Sequence, residues 1–222
     1  MTSAIAESPP HRRRTPAKVQ DLGRREYGEV WEVQKQTVAR RLAGEIPDTL
    51  LLVEHDEVIT VGRGARDRTN LLDAAAIPVF EVERGGDVTY HGPGQLVGYP
   101  IFLLRESERD LHRFLRNIEQ ALIDAVARFG IHADRRAGLT GLWVGDRKLA
   151  SIGIAVRRWV TWHGFALNLT TDLLRFLAIR PCGLPADVMT SMEALLGHAP
   201  ARAEVAGEVA AAFSRVFGRD FR

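Results

Sequence analysis

The chain has 222 residues, of which 45% are apolar and 26% charged, an ordinary balance for a folded domain that keeps to water. That length suits one large domain or two small ones, and one domain of this size buries roughly 70% of its chain surface, so its core needs no staples. The single cysteine, Cys182, excludes an intramolecular disulfide and a multi-cysteine zinc site, and a lone thiol suits a reducing, cytoplasmic setting.

The net charge of +2 is unevenly spread. Residues 1–18 hold Arg12, Arg13, Arg14 and Lys18 against Glu7, a net +3, which leaves the remaining residues at −1. The basic balance therefore comes from the tail and gives no reason to expect nucleic-acid binding by the body. The first residues lack the apolar stretch of a secretory signal. The longest run without a formal charge, residues 88–104, is broken by His91, Gln95 and several glycines and prolines, so no membrane span is expected.

In chain order, residues 1–16 are polar, proline-bearing and aperiodic, and are expected to form a disordered extension ahead of a single domain at 17–222. Residues 18–22 suit a short strand. Tyr27, Val30, Trp31, Val38 and Leu42 recur at helical spacing and predict a helix over 25–42, with Gly44 and Pro47 beyond its end. Two short apolar runs, 49–54 and Val58–Val61, predict strands joined by His55, Asp56 and Glu57. Residues 62–70 (GRGARDRTN) form a basic glycine loop that could either cradle an anion on its N–H groups or simply connect. Residues 78–82 predict another strand.

Residues 84–100, RGGDVTYHGPGQLVGYP, carry five glycines and two prolines around Arg84, Asp87, Thr89, Tyr90, His91 and Gln95. Such a segment, running into the apolar LVGYPIFLL, reads as a polar loop held on a buried strand to meet a ligand, or as a surface turn. A helix over 110–129 follows, its Leu111, Phe114, Leu115, Ile118, Leu122 and Val126 forming one apolar stripe that ends at Gly130. Then come the strands 142–144 and 148–156 around Gly145-Asp146, a strand over 159–169, a short helix over 172–179, an irregular turn at 180–185, and helices at Met192–Leu196 and 204–217. Strand runs flanked by helices predict an α/β fold of the α+β type with a mixed sheet.

Four side chains could carry chemistry. Cys182 lies between Pro181 and Gly183, in a turn where a thiol can meet a pocket, although free cysteines are also common as inert core. An unperturbed thiol of pKa about 8.5 is only a few per cent thiolate at pH 7, so a nucleophile there needs a cationic neighbour. Lys148 is the candidate. Strict alternation puts it on one face with Ala150, Ile152 and Ile154, an inward face, whereas a solvated hairpin lysine is the alternative. His91 and His163 could each serve a nucleophile as base or be structural histidines. No histidine spacing suggests a metal, and no glycine motif suggests a nucleotide.

Taken together, RGGDVTYHGPGQLVGYP, GLWVGDRKLASIGI, HGFALNL and PCGL, in that order and spacing, resemble the lipoyl(octanoyl) transferase family. The resemblance covers residues 49 to about 191. It implies a fold like the catalytic domains of biotin and lipoate protein ligases, a mixed sheet flanked by helices. It implies transfer of octanoyl from octanoyl-acyl carrier protein to one lysine of a lipoyl domain of 2-oxoacid dehydrogenase complexes or the glycine cleavage system, with no cofactor and no metal. Cys182 matches the acyl-accepting nucleophile and Lys148 its activator. Arg84, Gly85, Gly86, Asp87, Val88, Thr89, Tyr90 and His91 match one substrate-binding segment; Ser151, Ile152 and Gly153 match a second; Gly164, Phe165 and Ala166 match a third. The rivals are an ATP-dependent lipoate or biotin ligase of the same fold, a thiol hydrolase using His91 or His163, and a non-catalytic lipoyl-domain binder.

Overall fold

A computed structural model describes residues 14–65, 69–72, 76–180 and 185–221. Most of the expected N-terminal extension, and the Cys182 turn itself, lie outside the described residues.

The main sheet has eight strands in the order β11-β1-β2-β6-β10-β9-β8-β7. Its members are β1 (Thr15–Arg25), β2 (Asp48–His55), β6 (Gln95–Ile101), β7 (Asp134–Arg136), β8 (Leu139–Val144), β9 (Arg147–Arg157), β10 (Val160–Asn168) and β11 (Arg219–Phe221). β1 runs parallel to β2 and β11, and the other pairings are antiparallel, so the sheet is mixed as expected. A smaller sheet, β4-β3-β5, is made by β3 (Val58–Val61), β4 (Val79–Glu81) and β5 (Val88–His91).

Alternation along the central strands sorts their side chains between two layers. Leu50, Leu52, Leu96, Leu167 and Ala150 join the core under α2 (Leu111–Ala127) and α3 (Arg202–Phe217). Leu51, Val53, Val97, Tyr99 and Ala166 face the other way, towards Val30 and Val38 of α1 (Tyr27–Leu42). The helix over α2 follows from its apolar stripe and from Asp110, whose carboxylate caps the N–H of Arg113 at 3.0 Å.

Three expectations change. The first strand is longer than residues 18–22 and begins at Thr15, because Thr15, Pro16 and Ala17 pair with β11. Residues 88–91, read as loop, form strand β5, because they pair in register with Val58 to Val61. The short helix expected over 172–179 narrows to a 3-10 helix at Leu173–Ala178, which Asp172 caps through the N–H of Leu174. Among the described residues, no helix is long and apolar enough to cross a membrane.

Candidate active site

The site lies on the α1 face of the sheet. Cross-strand register places Ser151 beside Ala166, Ala166 beside Val97, and Val97 beside Val53, and it places Gly153 beside Gly164. This row of small residues floors a pocket that is partly open to solvent and mostly apolar. Ile152 and Phe165, which pair across β9 and β10, also border it, and Tyr27 and Tyr99 form an aromatic wall.

Glycine is needed at two floor positions for room alone. A Cβ on Gly164 would stand 2.1 Å from the carbonyl oxygen of Gly98, and one on Gly153 would stand 2.7 Å from that of Gly85. Both are well inside contact distance, so the backbones of three segments meet there.

Arg84 closes one side. Its buried guanidinium donates to the Thr60 carbonyl at 2.7 Å, to Thr60 Oγ1 at 2.9 and 3.2 Å, and to the Gly85 carbonyl at 3.1 Å. The N–H of Gly85 donates to Ile154 of β9 at 2.8 Å, which docks the glycine loop on the main sheet. The N–H groups of Gly62, Arg63 and Gly64 donate to the carbonyls of Asp87, Arg84 and Gly86. The basic glycine loop thus spends these donors on residues 84–87, and they hold no anion; residues 66–68 of that loop lie outside the described residues.

The histidines around the pocket are neutral. Nδ1 of His55 faces the Arg25 carbonyl at 3.2 Å and must carry the proton, so Nε2 accepts from the Tyr99 hydroxyl at 2.7 Å. Burial pushes His55 down to about 4 and His163 to about 3, and burial beside His55 and Arg84 holds His91 well below the usual range. Nε2 of His163 is 3.5 Å from Glu83, but a ring this hard to protonate forms no ion pair, and that nitrogen and the Thr89 hydroxyl have no hydrogen-bond partner among the described residues. Both residues line the pocket, so two unsatisfied polar groups border an otherwise greasy slot. With its hydroxyl turned back to His55, Tyr99 presents only ring to the slot.

Lys148 lines the same pocket and is 2% exposed. Its direction corrects the alternation argument. Ala150 pairs with Leu142 but Lys148 pairs with Trp143, so one step on β8 spans two on β9 and Leu149 is an inserted residue. Leu142 and Trp143 point to opposite faces, and their partners do too. Lys148 therefore faces away from Ala150, Ile152 and Ile154, and shares the pocket face with Ser151 and Gly153. Its ammonium nitrogen lies 5.6 Å from the centre of the Trp143 ring, within the range of a cation–π contact. Gly141 leaves room for the lysine stem: a Cβ there would sit 2.8 Å from Cε of Lys148.

The segment after the Cys182 turn is tied to this lysine. Met189 bridges Lys148 in parallel, the N–H of Thr190 donates to the Lys148 carbonyl at 3.0 Å, and Arg147 donates to the Asp187 carbonyl at 3.1 Å.

Of the residues singled out from the sequence, Arg84, Gly86, Val88, Thr89, His91, Lys148, Ser151, Ile152, Gly153, His163, Gly164, Phe165 and Ala166 converge on one pocket. Gly85, Asp87 and Tyr90 do not border it. Gly85 docks the loop, Asp87 accepts from Asn70 and from the N–H of Val88, and Tyr90 turns to Glu57 and packs on Phe176. Tyr27, Val97 and Tyr99 complete the lining. Val97 and Tyr99 sit two apart on a strand leaving the glycine loop, so alternation could have found them. Tyr27 comes from the first turn of a distant helix and carries no local signal.

Residues 26–214 match the family model described as the lipoyl protein ligase A/B catalytic domain. The chain is 51% identical over 195 residues to an octanoyltransferase of Geobacter metallireducens, covering 88% of this chain and 91% of that one. It is 50% identical to an octanoyltransferase of Gloeobacter violaceus, with 86% of each chain covered. The chain belongs to the octanoyltransferase family. It is an enzyme, an acyltransferase that transfers octanoyl for lipoylation. Its fold is shared more widely. A lipoate-protein ligase A bound with ATP superposes with a TM-score of 0.75 at 16% identity, covering 94% of this chain and 87% of that one. The structure of a bi-partite lipoate protein ligase and its E2 lipoyl domain from Thermoplasma acidophilum gives 0.74 at 18%, covering 93% and 86%. A biotin protein ligase from Aquifex aeolicus gives 0.55 at 10%, covering 90% and 69%.

Proposed function

We propose that this single domain, residues 17–222, carries octanoyl from octanoyl-acyl carrier protein to one lysine of a lipoyl domain through a thioester on Cys182. The acceptors implied by the family are the lipoyl domains of 2-oxoacid dehydrogenase complexes and of the glycine cleavage system, reached in the cytoplasm. The observation that carries the reading is a buried lysine on the rim of an apolar slot, with its own backbone tied to the segment that begins three residues after Cys182.

The chemistry runs in two balanced steps. Lys148 takes the Cys182 proton and its ammonium stabilises the thiolate, which attacks the octanoyl thioester; the new C–S bond forms as the bond to the carrier's sulfur breaks, and the ammonium gives its proton to that sulfur, so the carrier leaves as its thiol and Lys148 is left neutral. The acceptor amine then attacks the acyl-enzyme, a C–N bond replaces the C–S bond, and the amine's proton passes to Lys148 and on to the departing sulfur. Lowering the thiol pKa by two units corresponds to roughly 2.7 kcal/mol and makes the thiol mostly ionised at pH 7. Thioester exchange is nearly balanced, so no ATP is consumed. The mostly apolar slot suits the acyl chain, each buried CH₂ contributing about 0.8 kcal/mol. The Arg84–His91 segment, with residues 151–153 and 164–166, holds it.

The histidines fit this division of labour. A base with the pKa of His163 accepts protons poorly at pH 7, which argues against a cysteine–histidine hydrolase. Incubation with octanoyl-acyl carrier protein followed by intact-mass analysis tests the reading. One octanoyl adduct on the wild type and none on Cys182→Ala is expected, and transfer to a lipoyl domain proceeds without ATP. An adduct that persists in Cys182→Ala, or transfer that requires ATP, overturns it.

A further inference from the structure

Two buried side-chain amides connect the pocket to the lysine strand. Gln95 and Asn168 face each other across β6 and β10, and each is 1% exposed. Burying an amide is costly unless its hydrogen bonds are made, so two adjacent ones call for an account of every donor and acceptor. Nδ1 of His91 donates to Gln95 Oε1 at 3.2 Å. Gln95 Nε2 donates to the Tyr90 carbonyl and to Asn168 Oδ1, both at 3.1 Å. Asn168 Nδ2 donates to the Thr190 carbonyl at 2.9 Å. The N–H of Thr190 in turn donates to the Lys148 carbonyl at 3.0 Å.

Only one orientation of the two amides satisfies this sequence. Turning Gln95 over would set its NH₂ against the His91 proton and its oxygen against two acceptors. Turning Asn168 over would set oxygen against the Thr190 carbonyl. The direction also fixes His91 with its proton on Nδ1. Its Nε2 is left as an acceptor towards Thr60 Oγ1, which lies 3.5 Å away and itself accepts from Arg84. Burial keeps that ring neutral, so the order of donors and acceptors does not reverse near pH 7.

We propose that Gln95 and Asn168 are positioning residues for Lys148, two amides that lock the glycine segment, β10 and the 189–190 segment to the lysine strand as one unit. Neither amide touches the reacting atoms; each acts by setting where the lysine backbone stands. A substitution at either one lets the Thr190–Lys148 contact drift, and a displacement of about 1 Å at a reacting group is enough for a loss of order 100-fold. The inference rests on the reading that Lys148 activates Cys182.

Because Cys182 is the only cysteine, its alkylation rate against pH reports its ionisation directly in the full chain. The set to compare is wild type, Lys148→Met, Asn168→Ala, Gln95→Met and Phe114→Leu, the last a core control on α2 that lies outside the pocket lining. Lys148→Met is expected to move the apparent thiol pKa up. Asn168→Ala is expected to move it up by about one unit, a tenfold loss of thiolate at fixed pH. It should also lower kcat for octanoyl transfer about 10- to 100-fold while KM changes little. Gln95→Met keeps the volume and carries the same expectation if Asn168→Ala does not fold. Phe114→Leu is expected to lower the melting temperature and leave the alkylation profile alone. Wild-type profile and kcat in whichever amide variant folds, with Lys148→Met still shifted, overturn the positioning role alone. A wild-type profile in Lys148→Met overturns the reading beneath it.

Discussion

The hydroxyl of Tyr99 donates to Nε2 of His55 at 2.7 Å, with both side chains buried at the back of the pocket. This bond turns a tyrosine into an apolar wall, and its loss leaves a buried imidazole nitrogen without a partner. Tyr99→Phe should therefore destabilise the fold by about 1–3 kcal/mol in urea titration, the usual effect of stranding a buried acceptor. Its pocket face is unchanged, so KM for the octanoyl donor should stay near wild type.

Acid should unfold the protein early. His55 titrates near 4 and His163 near 3 when folded, and His91 is held down as well, whereas each titrates near 6.5 when unfolded. The unfolded chain binds more protons in this window. The stability these neutral rings contribute is complete above about pH 6.5 and is lost as pH falls through the folded values. The slope is up to about 1.4 kcal/mol per pH unit for each ring. Urea midpoints at pH 7, 6 and 5 should decline steadily. A flat profile over that range would contradict the neutral assignment.

Gly164→Ala should be among the most damaging single changes. Its Cβ would meet the Gly98 carbonyl oxygen at 2.1 Å and Cδ of Pro100 at 2.7 Å, so β6 and β10 would have to part. Overpacking of this kind costs about 1–3 kcal/mol, and here it also lifts the pocket floor. Loss of transfer activity in protein that still melts cooperatively is the expected result.

Gly141→Ala tests the lysine from the other side. Gly141 has φ +142°, and its Cβ would come within 2.6 Å of the Ala150 carbonyl and 2.8 Å of the lysine stem. The expected outcome is a fall in kcat with little change in KM.

Asp48 gives a contrasting case far from the chemistry. Its buried carboxylate accepts from Arg219 and Arg41, each at 2.7 Å, and from the N–H of Leu103 at 2.9 Å, joining β11, α1 and β2. Asp48→Asn removes the charge partner of Arg41 and leaves Arg219 paired with Glu108 alone, and should cost up to about 3–5 kcal/mol. Activity per folded molecule should be retained at low temperature.

The sequence carried the α2 stripe, the mixed sheet and most of the pocket lining, because periodicity and the glycine-rich segment are local signals. Three features were not legible there. Tyr27 reaches the pocket only because α1 packs across β10 and β6, a tertiary fact. Strand β5 exists because Val88 to His91 find a partner in β3, which outweighs the turn-forming glycines around them. The direction of Lys148 depends on the inserted Leu149, and nothing in KLASIGI marks a bulge. Tyr90 belongs to the recognisable segment yet braces it from behind, since it alternates with Thr89 and His91, while Asp87, just ahead of the strand, is spent on Asn70 and the N–H of Val88.

That inserted residue has a practical consequence for anyone grafting this strand into another scaffold. The aim of the amine is written in strand length and not in the identity of any side chain. A graft that reproduces every residue type but trims β9 by one position would send the lysine into the helix-covered core, and no choice of rotamer could bring it back.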